Sequence, residues 1–285
     1  MTQSDTSSRQ AVIFMVGCVG LSWLIWVPLV LAYRAGADEV GDLTPLVLGM
    51  WLLGSWVPSL FGIFLAARDG GRSAVMALLA RSLSGWRKSD NWLIPVALPA
   101  LIWFTTILAV VLITEAVWPA IDPSRWVLIP LAVILALPFG PLGEEFGWRG
   151  YLQPRLLKRY SPVAAGTLIG IIWTVWHLPL FWAPAGTSIS GSEVTLTAVA
   201  SYTVTLIALS IVLACLAGPT RASLLPALLL HAVWNAEPAR FLFTPLEDSM
   251  DPLIAGYLPV VTLVSSVLAI YLISLRRRDK PGEVI

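Results

Sequence analysis

Runs of 18 or more predominantly apolar residues recur along the whole of this 285-residue chain. Each is long enough to cross about 30 Å of hydrocarbon as an α-helix. Only helices and closed barrels satisfy every backbone polar group in that medium, so runs of this length predict an all-α, polytopic membrane protein. Composition agrees: 57% of the residues are hydrophobic and 12% charged, with a mean hydropathy of +0.80, outside the balance of a soluble globular domain. Hydropathy predicts eight helices, at about 11–33, 44–67, 92–114, 127–152, 162–183, 195–217, 223–243 and 252–275, in a single integral membrane domain covering 1–285. The first run exceeds the apolar core of about 7 to 15 residues found in a signal peptide, and only Arg9 precedes it as a basic residue, so it reads as a retained helix.

With the N-terminus inside and eight crossings, fifteen of the eighteen lysines and arginines fall on the cytoplasmic side, leaving Arg34, Arg125 and Arg240 outside. The positive-inside rule then predicts a multi-pass plasma-membrane protein with both termini cytoplasmic. Between the second and third runs, five basic residues surround the apolar stretch Ala74 to Ala80, a pattern that predicts an amphipathic helix lying on an anionic inner leaflet. The lipid bilayer is thus one partner. No basic stripe points to nucleic acid. Cys18 and Cys215 stand far apart with no CxxC spacing, and read as packing residues.

Charged side chains cost roughly 2.5 to 3.5 kcal/mol each inside a membrane helix, so their presence there points by default to function. Here they gather between 144 and 235, in three patterns: Glu144-Glu145-Phe146-Gly147-Trp148-Arg149, Trp173-Thr174-Val175-Trp176-His177, and His231-Ala232-Val233-Trp234-Asn235. The two histidines are the only ones in the chain. The first three runs hold almost no such groups, which divides the chain into accessory helices at about 11–114, a motif-bearing region at about 127–243 and a last helix at about 252–275. Arg149 lies one helical turn beyond Glu145 and can neutralise it, which leaves Glu144 as the free carboxylate. His231 and Asn235, spaced i and i+4, share one helix face as two hydrogen-bond donors.

Counted from the cytoplasmic ends at about 1.5 Å per residue, Glu144 and His231 each lie about 12 Å deep and His177 about 16 to 22 Å. The groups can therefore meet in a cavity opening toward the cytoplasmic side. Pro138, Gly140, Pro141 and Gly143 precede the glutamates and Pro179 follows His177, so both helices are expected to bend at the site. A carboxylate in a partly wet apolar cavity, tuned by a nearby histidine, has the profile of a general base. A His/Asn pair of donors suits the oxyanion of a tetrahedral intermediate.

The three patterns together, EExxxR, an aromatic-xxx-His segment and HxxxN, resemble those of the CAAX protease and bacteriocin-processing family of intramembrane endopeptidases. By position, the resemblance implies that Glu144 activates water with His177 as its partner, that His231 and Asn235 bind the oxyanion, and that Glu145 and Arg149 support them. The family commonly has phenylalanine where this chain has Trp173. Trp148 and Trp173 are read as walls of the substrate cavity. The implied partner is a membrane-associated peptide or protein substrate cleaved near the cytoplasmic face.

Two histidines and a glutamate also match the ligands of some catalytic zinc sites. HExxH is absent, Arg149 opposes a second positive charge, and Asn235 is a poor zinc ligand, so water activation without a required metal is the expectation and no cofactor is assigned. Two other classes fit the same residues: a proton-coupled transporter relaying protons through Glu144 and His177, and a non-catalytic peptide-binding or bacteriocin-immunity protein.

Overall fold

In a computed structural model of the chain, the described residues are 3–36, 44–82, 126–184, 194–217 and 223–236, with isolated positions between 97 and 124 and at 187, 190, 243 and 244. The predicted helices at 92–114 and 252–275 lie essentially outside this set. Four described helices are long and apolar enough to cross a membrane, and a bent pair makes a fifth candidate. Among the described residues the fold is helical apart from one short antiparallel ladder, in which Ala120 and Ile121 (β1) pair with Thr244 and Phe243 (β2).

The first two helices are α1 (Gln3–Arg34) and α2 (Pro45–Ala80). On α1, Phe14, Cys18 and Trp26 are buried while Val12, Val16, Leu24 and Leu31 are exposed. Both faces are apolar because one meets protein and the other lipid, so hydropathy reveals the span without revealing its orientation. The second helix runs past its predicted end. It absorbs the expected surface helix through a kink at Gly70 and Gly71, where Gly71 takes φ of 63°, a left-handed value that glycine adopts without penalty. Pro58 lies inside α2 and cannot donate to the carbonyl four residues back. That carbonyl, of Gly54, accepts instead from the Ser22 hydroxyl of α1 at 2.9 Å.

The predicted helix at 127–152 is broken into pieces. These are α3 (Leu128–Ala136), a 3-10 turn (Leu137–Phe139), α4 (Pro141–Glu145), a π-helical segment (Phe146–Leu152) and α5 (Gln153–Leu156). The two halves meet at 40°. Proline and glycine at 138, 140 and 141 account for the break, since they remove donors and release the backbone. Helix α6 (Pro162–His177) starts cleanly because the Ser161 hydroxyl caps the Ala164 amide at 3.2 Å, with proline in the favoured first position. A 3-10 turn (Leu178–Trp182) containing Pro179 ends it.

Helices α7 (Leu196–Ala217) and α8 (Leu225–Ala236) complete the described core. The second is described from Leu225 to Ala236; the rest of the predicted 223–243 lies outside the described residues except Phe243, which lies with Thr244 in β2. Helices α6 and α7 pack closely along Gly166 and Gly170. A Cβ on Gly166 would stand 2.6 Å from the Ile211 Cα, and one on Gly170 would meet the backbone of Ile207. Small residues at i and i+4 let membrane helices approach in this way. Gly143 and Gly147 do the same for α4 and the π segment against α2, where added Cβ atoms would strike the backbone at Ser55, Trp56 and Pro58.

Candidate active site

The break at Gly140 places Glu144 and Glu145 on a short helix of their own, buried at 4% and 0% exposure. Glu145 is the anchor. Its Oε1 accepts from Arg149 Nη1 at 3.0 Å and from His231 Nδ1 at 2.9 Å. Arg149 also donates to the Ser210 hydroxyl of α7 at 3.1 Å and stacks 4.3 Å over the Trp173 ring. One buried carboxylate thus ties α4, the π segment and α8 together, and the arginine extends the tie to α6 and α7. Burying an ion pair this deep is costly, and Glu145 Oε2 and Arg149 Nε are buried without a hydrogen-bond partner among the described residues.

The π segment has its own clamp. Wide turns leave carbonyls poorly matched to the helical ladder, and Arg81 reaches two of them, donating to Gly150 at 2.8 Å and Arg149 at 3.4 Å. The Arg81 carbonyl in turn accepts from the Leu224 amide at 2.9 Å, just ahead of the helix that carries His231.

Glu144 is not wholly free. Its Oε2 accepts from Trp173 Nε1 at 2.6 Å, and this leaves Oε1 for other work. A Cβ placed on Gly140 would stand 2.5 Å from Nδ2 of Asn235, 3.4 Å from Oε1 of Glu144 and 3.5 Å from Nε2 of His231. Three polar groups from the first and third sequence patterns therefore converge on one point beside a glycine that leaves it open. His177 is not hydrogen-bonded to Glu144 in that cluster; its Nδ1 lies 2.9 Å from the Trp173 carbonyl. A carbonyl only accepts, so Nδ1 carries the proton and the neutral ring offers Nε2 as an acceptor.

The same logic revises His231. With Nδ1 donating to a carboxylate, Nε2 becomes a second donor only when the ring carries both protons. It is not the unconditional donor that helix spacing alone implied. Asn235 is exposed and retains its amide.

A cavity of about 250 Å³ is lined by Glu144 and His177 together with Trp26, Leu48, Trp51, Phe139, Trp176 and Leu180 among others. Trp148 is not among these residues. It is fully buried and packs edge-on against Phe14 and Trp176, so it belongs to the core rather than to the cavity wall. Trp173 is also absent from the lining, since its indole is spent on Glu144 and Arg149.

The cavity lies toward one end of the helices. Leu48 and Trp51 are in the first turns of α2, Trp26 in the last part of α1, and Leu180 beyond the end of α6. These are the helix ends opposite Arg68, Arg155, Lys158 and Arg159, although Arg34 ends α1 on the same side as Trp26. At the basic end, Arg155 bonds Gln10 at 3.2 Å and Asp69 at 3.0 Å, Tyr151 bonds Asp69 at 2.7 Å, and Lys158 bonds Ser7 at 3.2 Å. That network closes the bundle below the glutamates.

Sequence comparison meets this geometry at the same residues. The family model described as Type II CAAX prenyl endopeptidase Rce1-like matches residues 126–236, a span that contains both glutamates, both histidines, Arg149 and Asn235. Residues 126–236 are thus similar to the CAAX protease-like family. Among curated relatives of this family, CAAX prenyl protease 2 of Methanococcus maripaludis is 41% identical over 59 residues, which is 21% of this chain and 20% of the relative. The chain therefore spans about a fifth of the length of the curated relative it matches. The CAAX protease-like family is a peptidase family, and the multiple apolar helices of this chain make it a multi-pass membrane protein.

Two parts of this site are not legible in the sequence. Ser210 has no motif around it and is recognisable only once Arg149 is seen to reach it. Gly140 was read as a helix bend, yet its lack of a side chain also keeps the meeting point open. Among the described residues, no three His, Cys, Asp or Glu side chains group closely enough to hold a metal ion.

Proposed function

We propose that this chain is an intramembrane endopeptidase that hydrolyses a peptide bond with water activated by Glu144. The observation carrying this reading is the convergence of Glu144 Oε1, His231 Nε2 and Asn235 Nδ2 beside Gly140, with His177 on the same cavity. Glu144 removes a proton from water, whose second hydrogen is held by His177 Nε2. The hydroxide adds to the scissile carbonyl, and the resulting oxyanion accepts from Asn235 and from doubly protonated His231. Glu144 then passes its proton to the departing amine as the C–N bond breaks. Glu145 holds the histidine and opposes its charge, while Arg149 holds Glu145 in place. No resident metal has a role in this scheme.

The cavity lining supports approach of the substrate from the helix ends opposite the cluster of Arg68, Arg155, Lys158 and Arg159. We also propose eight spans in a plasma membrane with both termini cytoplasmic, which puts that approach on the non-cytoplasmic side. Leu48→Cys in a cysteine-free background tests this: labelling of whole cells by a membrane-impermeant thiol reagent is expected, and labelling only after disruption of the membrane reverses the assignment.

Comparative proteomics of membranes expressing the wild type or Glu144→Ala tests the activity itself. Peptides whose cleavage depends on Glu144 are expected. Their absence, with solute uptake by proteoliposomes that Glu144→Ala abolishes, would identify a transporter, and peptide capture unaffected by Glu144→Ala would identify a binding protein.

A further inference from the structure

Trp173 contacts both members of the proposed water-activating pair, through two different parts of itself. Its indole N–H donates to Glu144 Oε2 at 2.6 Å. Its backbone carbonyl accepts from His177 Nδ1, one helical turn later, at 2.9 Å. The ring is also held from outside: Arg149 stacks on it at 4.3 Å, and the His231 ring meets it edge-on at 5.4 Å. With 2% exposure, the side chain has no freedom to swing away.

We infer that Trp173 is a positioning residue that fixes the reactive oxygen of Glu144 and the acceptor nitrogen of His177 toward a common water. This rests on the proposed hydrolytic role of the site. The physical reason is rotational. A carboxylate with both oxygens free turns about its last torsion in a broad well, whereas a short bond to Oε2 leaves Oε1 pointing at the meeting place beside Gly140. For His177 the carbonyl settles which nitrogen bears hydrogen, and so which one faces the cavity. The backbone carbonyl at 173 would serve His177 with any residue there, whereas the bond to Glu144 needs the indole N–H, which reaches it because the end of α6 comes close to α4. Benzene rings of similar size would fill the space and keep the stacking with Arg149, but would give Glu144 no donor.

The test separates the N–H from the ring. Trp173→Phe and replacement of Trp173 by benzothienylalanine, in which sulfur stands for the indole N–H, are compared in nanodiscs. The probe is an internally quenched peptide carrying a cleavage sequence recovered from the Glu144-dependent proteome. Both substitutions are expected to lower kcat about 10- to 100-fold, the range for loss of one hydrogen bond to a charged group, with KM unchanged. Trp173→Phe that is inactive because it misfolds would be distinguished by the benzothienylalanine variant, which keeps the shape. A benzothienylalanine enzyme with wild-type kcat overturns the proposal.

A second readout does not need turnover. In protein labelled with 15N at the tryptophan indoles, the resonance missing from Trp173→Phe is that of Trp173. It is expected to move on Glu144→Gln, which takes away the charged acceptor. A resonance that stays in place shows that the bond to Glu144 does not exist, whereas a moved resonance with no peptidase activity in the wild type faults the hydrolytic reading alone.

Discussion

Replacing Gly140 with alanine puts one methyl group at the point where the three polar groups meet. Its Cβ would lie 2.5 Å from Asn235 Nδ2, against 3.4 Å and 3.5 Å from Glu144 Oε1 and His231 Nε2. The latter two are ordinary contacts, so only the amide of Asn235 has to yield, by about 1 Å. A misplacement of that size costs on the order of 100-fold in rate, close to the loss of one oxyanion donor, about 100- to 1,000-fold. Stability should change little, because the group that moves is the end of an exposed side chain and φ at Gly140 is 173°, outside the left-handed region that demands glycine. Purified variants in nanodiscs, assayed with the quenched peptide and followed by thermal unfolding, give both quantities. The expected result is kcat lower by about 100-fold with Tm within about 2 °C of wild type. Gly140→Ala combined with Asn235→Ala is expected to be no worse than either alone, since both remove the same donor. A single variant within threefold of wild type, or a double variant whose losses multiply, refutes the reasoning.

The two glutamates should fail in different ways. Glu144→Ala or His231→Ala should abolish cleavage in a folded protein, while Glu145→Ala strands Arg149 in the core and should cost about 3–5 kcal/mol, visible as loss of the folded species in detergent. Gly166→Ala and Gly170→Ala should each destabilise the α6–α7 pair by about 1–3 kcal/mol through overpacking, read as a lower Tm; unchanged melting of both would contradict the close backbone approach. Cys18→Ser with Cys215→Ser should leave turnover intact, because both thiols are buried in the packing and neither belongs to the cluster of acidic and imidazole groups. Stringent chelation should also leave it intact, and activity restored by one defined metal bound stoichiometrically would require a different mechanism.

The sequence shows its spans more readily than its joints. Ser161-Pro162 marks the start of α6 because capping is chemistry between neighbours, and the starts of α6 and α7 follow their apolar runs to within a few residues. The kinks at Gly70-Gly71 and Gly140 coincide with glycine and proline, but their outcome does not follow from composition. One continues a helix across the break, whereas the other creates a five-residue helix that turns the glutamates inward. The i, i+4 spacing correctly pairs Glu145 with Arg149. It is silent on which residue accepts from Trp173, because that bond joins positions 29 residues apart. Nor can spacing reveal that Trp148 faces Phe14 of the first helix. In a chain whose lipid face and protein face are both apolar, periodicity carries little information about either.

The π segment from Phe146 to Leu152 sets a condition on any attempt to transplant this chemistry. Copying the six residues from Glu144 to Arg149 into a regular α-helical scaffold would reproduce the letters and lose the angular offset between the glutamates and everything after Gly150. The portable unit is longer: the stretch from Gly140 through Leu156, an arginine from another element to occupy the carbonyls of Arg149 and Gly150 as Arg81 does, and a glycine-faced neighbour thin enough to sit beside it. Deleting a single residue within the segment would convert it toward the ordinary helical pitch and turn its two ends out of phase. Length variation between related chains should therefore collect in the connections around this stretch and avoid the stretch itself.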